Sequence, residues 1–232
     1  MISVLTGVLA TLVAQEAVAP IQDNSFLMEE AYNQEPGVVQ HISTLLRPRG
    51  GGTWSYSFTQ EWPALGQRHQ LSYTVPIEHG VGDVAVNYRH QLIGIGGAGR
   101  VALAPRVSAL VPTQSGRSTA LQMNVPLSLE LTRHAVTHWN GGATLMRSDG
   151  PVYNAGASAI WLVRPLVNLM LEVTWTGTAG SGETIVSPGV RWAHNLGRLQ
   201  IVPGIAFPID HGTFFYLSFE HPFKSSGPAR AL

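Results

Sequence analysis

Along residues 120–132, ALQMNVPLSLELT, two kinds of side chain take turns. Leu121, Met123, Val125, Leu127, Leu129 and Leu131 share one parity, and Gln122, Asn124, Ser128, Glu130 and Thr132 share the other. A period of two marks a strand with two unlike faces. Residues 53–62 set Trp54, Tyr56, Phe58 and Trp62 against Thr53, Ser55, Ser57, Thr59 and Glu61. Residues 167–176 set Val167, Leu169, Leu171, Val173 and Trp175 against Asn168, Glu172, Thr174 and Thr176. Noisier alternation runs through 69–77, 83–93, 101–112, 153–163, 185–194, 199–208 and 214–222. Segments 38–46 and 136–146 have mixed faces and are assigned as strands by their spacing. The pattern predicts about twelve strands of roughly ten residues, the length a tilted strand needs to cross a hydrocarbon layer. Strands of soluble sheets run nearer 5–6 residues.

The connections alternate too. The odd hairpins are RPRGGGT (47–53), EHGVG (78–82), TQSGRST (113–119), RSDGP (147–151), GTAGSGE (177–183) and DHGT (210–213). Three even links, at 133–135, 164–165 and 195–198, are very tight; those at 63–68 and 94–100 are longer. Outer-membrane barrels keep periplasmic turns short and let extracellular loops grow. The odd loops are therefore expected outside the cell, with the mature N-terminus starting in the periplasm.

Charge placement distinguishes a lipid-facing barrel from a soluble one. The in-strand charges Glu61, Asp83, Arg89, Arg106, Glu130, Glu172, Arg191 and Glu220 all fall on the parity opposite the large apolar residues. Arg or Lys facing lipid costs roughly 2–4 kcal/mol near the bilayer midplane, so these eight are expected to line the lumen. They would form either a cation-selective path or a ladder of ion pairs that fills the barrel. The apolar parity of all the strands together is more than the interior of a small barrel holds, so it is expected outside. The six tryptophans fall mostly near strand ends, as interfacial girdles prefer. The fold class expected is all-β, an antiparallel up-and-down transmembrane β-barrel.

The N-terminus reads differently. Residues 1–14, MISVLTGVLATLVA, form an uncharged apolar run, and Ala17-Val18-Ala19 has the small-x-small form of a signal-peptidase site. The expected organisation is a signal peptide (1–19), a periplasmic N-terminal segment or small plug (20–36), the barrel (37–223) and a C-terminal tail (224–232). Residues 23–35 carry Asp23, Glu29, Glu30 and Glu35 with no basic residue before Arg47, together with Phe26 and Tyr32. Either this is a flexible leader, or Phe26, Glu29, Glu30 and Tyr32 occupy the mouth as a plug against inward arginines.

Composition removes several classes of chemistry. Charged residues make up 12% of the chain and the formal net charge is zero, so no basic surface points to nucleic acid. Cysteine is absent, which excludes thiolate catalysis, zinc-thiolate sites and disulfides. The nine histidines lack metal-ligand spacing, so neither metal nor cofactor is expected. GIGGAGR at 94–100 lacks the Lys-Ser/Thr of a phosphate loop and reads as a turn. His41 and Ser43 share one strand face in the relation that outer-membrane phospholipase A uses, but residues 53–62 supply no orienting Asn. A polar pair in the lumen is the preferred reading, and no enzyme is expected.

The ordered pieces DNSFLMEEAYNQEPGVVQHIST (23–44), TWSYSFTQEWP, HQLSYTVPI, VGDVAVNYRHQL, APRVSALVPT and FYLSFEHPF together resemble transporter-type outer-membrane barrels allied to the family linked with the MetA pathway of phenol degradation. The resemblance covers residues 23–223. It implies a Gram-negative outer-membrane channel or transporter for small, often apolar or aromatic molecules by passive diffusion, without catalytic residues. In one departure, the aromatic strand stops at Phe223 and KSSGPARAL follows. The partners expected are outer-membrane lipid, the barrel-assembly machinery and a small-molecule cargo, for a monomer. The alternatives are a structural barrel with a filled lumen and, less favoured, a lipid-modifying enzyme.

Overall fold

The computed structural model describes residues 25–147, 149–197 and 199–222. The expected signal peptide, Asp23 and the C-terminal tail lie outside the described residues. In chain order the strands are β1 (Val38–Pro48), β2 (Ser55–Ala64), β3 (His69–Ile77), β4 (Val84–His90), β5 (Val101–Leu103), β6 (Arg106–Val111), β7 (Ala120–Asn124), β8 (Leu127–Thr132), β9 (Ala135–Leu145), β10 (Val152–Arg164), β11 (Val167–Gly177), β12 (Gly182–Trp192), β13 (His194–Leu196), β14 (Leu199–Ala206) and β15 (Gly212–Pro222). β5 with β6, β7 with β8 and β12 with β13 are halves of three interrupted strands. The first two breaks contain Pro105 and Pro126, which have no N–H for the ladder.

Each spanning strand pairs antiparallel with the next, and β15 returns to β1 in register from Val38–Pro222 to Pro48–Gly212. The result is a closed barrel of twelve spanning strands, leaving no sheet edge in the membrane. Short connections such as Arg133-His134 and Pro165-Leu166 gather at one end, here the turn end, where β1 begins. The longer odd hairpins gather at the other, the loop end. The 94–100 segment is a turn containing a short 3-10 stretch, Ile95–Gly97. Gly94 sits there at φ 75°, and a Cβ on it would lie 2.7 Å from the Val101 carbonyl oxygen.

The two faces invert the usual arrangement. On β11, Leu169, Leu171 and Val173 are exposed while Asn168, Met170 and Glu172 are buried. On β4, Val86 and Tyr88 are exposed while Asn87 and Arg89 are buried. Exposed apolar and buried polar side chains are the reverse of a soluble protein and suit an outer face dissolved in lipid. Trp54, Trp62, Trp161, Trp175 and Trp192 lie near strand ends, whereas Trp139 sits mid-strand on the outside of β9.

β1 corrects one expectation. His41 and Ser43 face outward, not into the lumen. Gln40 and Ile42 are the buried, inward residues. The His41 ring stacks on Phe219 with centroids 4.7 Å apart, and Ser43 Oγ lies 3.1 Å from the Tyr56 hydroxyl. The faces of β1 are mixed in composition, so its neighbour decides: His41 pairs with Phe219, Ser43 with Leu217 and Leu45 with Phe215, all on the lipid-facing parity of β15.

Candidate functional site

The lumen holds the chain's own N-terminal segment. Residues 25–36 are irregular backbone lying among the inward side chains of the wall. Backbone polar groups inside a membrane-embedded barrel must find partners, and here wall side chains provide them. Leu27 N–H donates to Glu172 Oε1 (3.0 Å), Ala31 N–H to Ser128 Oγ (2.8 Å) and Gln34 N–H to Gln70 Oε1 (2.7 Å). Asn140 holds both sides of residue 29, accepting from its N–H (2.9 Å) and donating to its carbonyl (2.7 Å). Gln91 does the same over a longer span, donating to Ala31 O (2.8 Å) and accepting from Asn33 N–H (3.1 Å). Each amide mimics the neighbouring strand that the segment lacks.

Charge adds to this. Arg89 reaches into the segment, with Nε donating to Asn33 Oδ1 (2.9 Å), Nη1 to Glu30 O (3.1 Å) and Nη2 to Tyr32 O (2.5 Å). Its Nη2 also lies 3.8 Å from Glu61 Oε2. Arg106 Nη2 pairs with the Glu29 carboxylate at 2.7 Å. Gln70 Nε2 donates to Glu61 Oε2 (2.6 Å), and Gln34 Nε2 to Gln40 Oε1 (2.5 Å).

Phe26 anchors the other end. It is buried against Phe214 and Tyr216, with ring centroids 5.9 and 5.0 Å away. These belong to an apolar cluster with Ile42, Ile160, Met170 and Ala206, in a lumen whose other buried residues are mostly Ser, Asn, Gln and charged groups. Inward glycines make room for the segment. A Cβ on Gly156 would lie 2.5 Å from Met28 Sδ, and one on Gly189 would lie 2.8 Å from the Phe26 ring. Glycine inside a strand often marks this kind of close approach.

The eight expected lumen charges separate into groups. Glu61, Arg89 and Arg106 come together on one side around the segment. Glu172 holds Leu27, and Arg191 pairs with Asn168 in register on the next strand. Glu130 and Arg191 both line the turn-end cavity. Glu220 lies near the turn end of β15, in register with Gln40 and Gln200. Asp83 corrects the expectation: it precedes β4 at the loop-end rim, bound to Arg117 at 2.8 Å. Its partner comes from the next hairpin at that rim, so the carboxylate is part of the loop layer. Of the four segment residues singled out in the sequence, Phe26 and Glu30 are buried, Glu29 holds Arg106, and Tyr32 accepts from Arg89 through its carbonyl. The amides Gln70, Gln91 and Asn140 were not foreseen. Their signal was present as Gln and Asn on the polar parity of strands.

The segment lies between two spaces. A cavity of about 260 Å³ at the turn end is bordered by Glu30, Tyr32, Asn33 and Glu35. Cavities of about 380 and 250 Å³ toward the loop end are bordered by Leu27, Met28 and Glu29. Among the described residues no His, Asp and Glu cluster could hold a metal ion.

No family model matches the chain, and no curated protein matches it. Among solved structures, the KdgM porin superposes with a TM-score of 0.59 at 7% identity, covering 81% of this chain and 99% of the porin. The NanC porin superposes with a TM-score of 0.56 at 10% identity, covering 80% and 99%. At these identities the likeness concerns the fold. A closed antiparallel barrel, apolar outside and polar inside, is the transmembrane design of the bacterial outer membrane, and this chain is an outer-membrane β-barrel of that kind.

Proposed function

We propose that this outer-membrane barrel is a channel for small molecules, closed in the described state by residues 25–36 and opened when they leave the lumen. The observation that carries the reading is how the segment is held. It contacts the wall through hydroxyl, amide, carboxylate and guanidinium side chains, and all of these can be hydrated once it withdraws. A polar wall supports a water-filled state, and the porin-like fold of KdgM and NanC agrees with passage along the axis. The residue-level resemblance to transporter-type barrels linked with the MetA pathway supports passive diffusion of small apolar or aromatic cargo. In this reading the turn end faces the periplasm, the segment retreats toward it, and the barrel works as a monomer.

A permanently filled, structural barrel is the second reading, favoured by the apolar anchorage of Phe26. Planar-bilayer recordings of the intact protein beside a variant lacking residues 25–35 separate the two. Steady ohmic steps in the shortened protein, with rare or no steps in the intact one, support the channel. Silence in both rejects it in favour of the filled barrel.

A further inference from the structure

The outer wall carries one charge on a face built for lipid. By sequence pattern Arg47 opens the first odd hairpin, but in the structure it belongs to β1, on the lipid-facing parity of His41, Ser43 and Leu45. Among the described strands no other Asp, Glu, Lys or Arg holds that parity at the loop end. Elsewhere the same outer rim is apolar, with Ile77, Val111, Leu145 and Trp175. An outward arginine is costly at the bilayer midplane and costs little at the interface, where its guanidinium reaches the headgroups.

The surface around Arg47 forms a groove of about 440 Å³. Thr213 of β15 pairs with Arg47, and Ala206 pairs with Phe214, which sets Phe207 beside Thr213. A small side chain thus lies between two large ones, and Arg49, Pro188 and Ile209 add to the lining. Gly212 lets the 210–213 hairpin close on β1, since a Cβ there would collide with the Arg47 carbonyl. One step toward the membrane centre, the outward row is Leu45, Phe215 and Ile205, in register across β1, β15 and β14. Guanidinium groups therefore lie above an apolar track. The acid paired there is Asp210, 3.9 Å from Arg49 with both side chains largely exposed, and such a pair holds loosely. Two arginines against one loosely held carboxylate leave the groove positive.

We infer that this groove seats a phosphate-bearing lipid of the outer leaflet, its phosphate on Arg47 and Arg49 and an acyl chain along Leu45, Phe215 and Ile205. Planar guanidinium forks suit phosphate oxygens through paired, charge-assisted hydrogen bonds. A basic pocket beside an apolar track is how a membrane protein selects an anionic lipid. In an outer membrane that lipid is lipopolysaccharide, whose lipid A carries phosphates on a disaccharide directly above its acyl chains. The inference rests on the orientation in which the loop end faces outside, and not on how the lumen opens.

The test takes the protein extracted from outer membranes into detergent, washes it free of lipid and titrates it with purified bis-phosphorylated lipid A under native mass spectrometry. One lipid A per barrel is expected, and Arg47→Gln/Arg49→Gln is expected to weaken its binding roughly tenfold. Thr213→Trp fills the groove without changing its charge and is expected to weaken binding roughly fivefold. Lipid A stripped of phosphate should bind the parent protein as poorly as intact lipid A binds the double variant. Arg117→Gln, in another odd hairpin, is expected to bind like the parent. Folding of each variant is followed by its heat-dependent shift on SDS gels. Equal retention of lipid A by the parent and the folded arginine or groove-filled variants overturns the site. Displacement of lipid A by inorganic phosphate at equal concentration, or a dimer in place of the lipid-bound barrel, also overturns it, since the groove then holds a free anion or a second copy. Orientation is checked separately with Ser115→Cys, in a chain that otherwise has no cysteine. A membrane-impermeant maleimide should label it on intact cells. Labelling without lipid A binding refutes the inference and leaves the orientation standing, and absence of labelling refutes both.

Discussion

Glu29 and Arg106 form an ion pair of 2.7 Å inside the barrel, the carboxylate carried by the lumen segment and the guanidinium by wall strand β6. Both side chains are largely buried, so the pair lies between the weak surface case and the fully desolvated one. Removing one partner is expected to cost the closed state about 1–2 kcal/mol. Arg106→Gln should therefore raise the opening frequency in single-channel records roughly tenfold. Exchanging the charges, Glu29→Arg with Arg106→Glu, should recover much of the loss. An exchanged double variant as active as the single one would show that the pair does not hold the segment.

Gly156 gives a steric test of the same closure. A Cβ there would lie 2.5 Å from Met28 Sδ, and overpacking costs typically about 1–3 kcal/mol. Gly156→Ala is expected to loosen the segment, and because the same Cβ would lie 2.8 Å from the Val173 carbonyl oxygen it also presses on β11 beside it. In a protein carrying Ala31→Cys as a reporter, thiol labelling by a water-soluble reagent should accelerate about fivefold or more. Ala31 is fully buried in the closed state, so equal labelling with and without the added methyl would count against the contact.

Inner and outer faces should respond oppositely to charge. Leu171 is exposed at the middle of β11, and Leu171→Arg is expected to destabilise folding into vesicles by roughly 2–4 kcal/mol. Thr174, three residues on and facing a lumen cavity, should accept Arg at far smaller cost. Folding titrations in urea measure both, and equal penalties would contradict the assignment of faces.

Much of this division was legible in the sequence. Alternation in residues 120–132 and 167–176, interrupted on the inward parity by Pro126 and Met170, with Glu130 and Glu172 on that same parity, follows from having lipid outside and polar groups inside. β1 was less legible because its faces are mixed, and the side of His41 and Ser43 is set by register with Phe219 and Leu217. Acidity and aromatic content pointed to residues 23–35 as a plug or a leader. Which wall groups meet the segment depends on side-chain reach across a closed barrel, and local sequence does not carry that. Gly156, Gly189 and Gly204, all on inward parity in otherwise regular strands, were the available sign that something approaches the wall closely.

His41 and Ser43 carry no expected catalytic role. The His41 ring is stacked on Phe219 and Ser43 lies against the Tyr56 hydroxyl. Alanine at both positions should leave phospholipid turnover in outer-membrane preparations at the level of the parent protein. A fall that tracks the double substitution would reinstate the enzyme reading.

The central claim is that passage requires residues 25–36 to leave the lumen. Ser25 Oγ and Ser158 Oγ lie 3.1 Å apart, so Ser25→Cys with Ser158→Cys can tether the segment to β10 in a chain that otherwise has no cysteine. The most direct measurement is the single-channel conductance of this one variant before and after reduction. The account predicts silence in the oxidised protein and ohmic openings once the tether is cut. Openings of equal size and frequency in both states would contradict it.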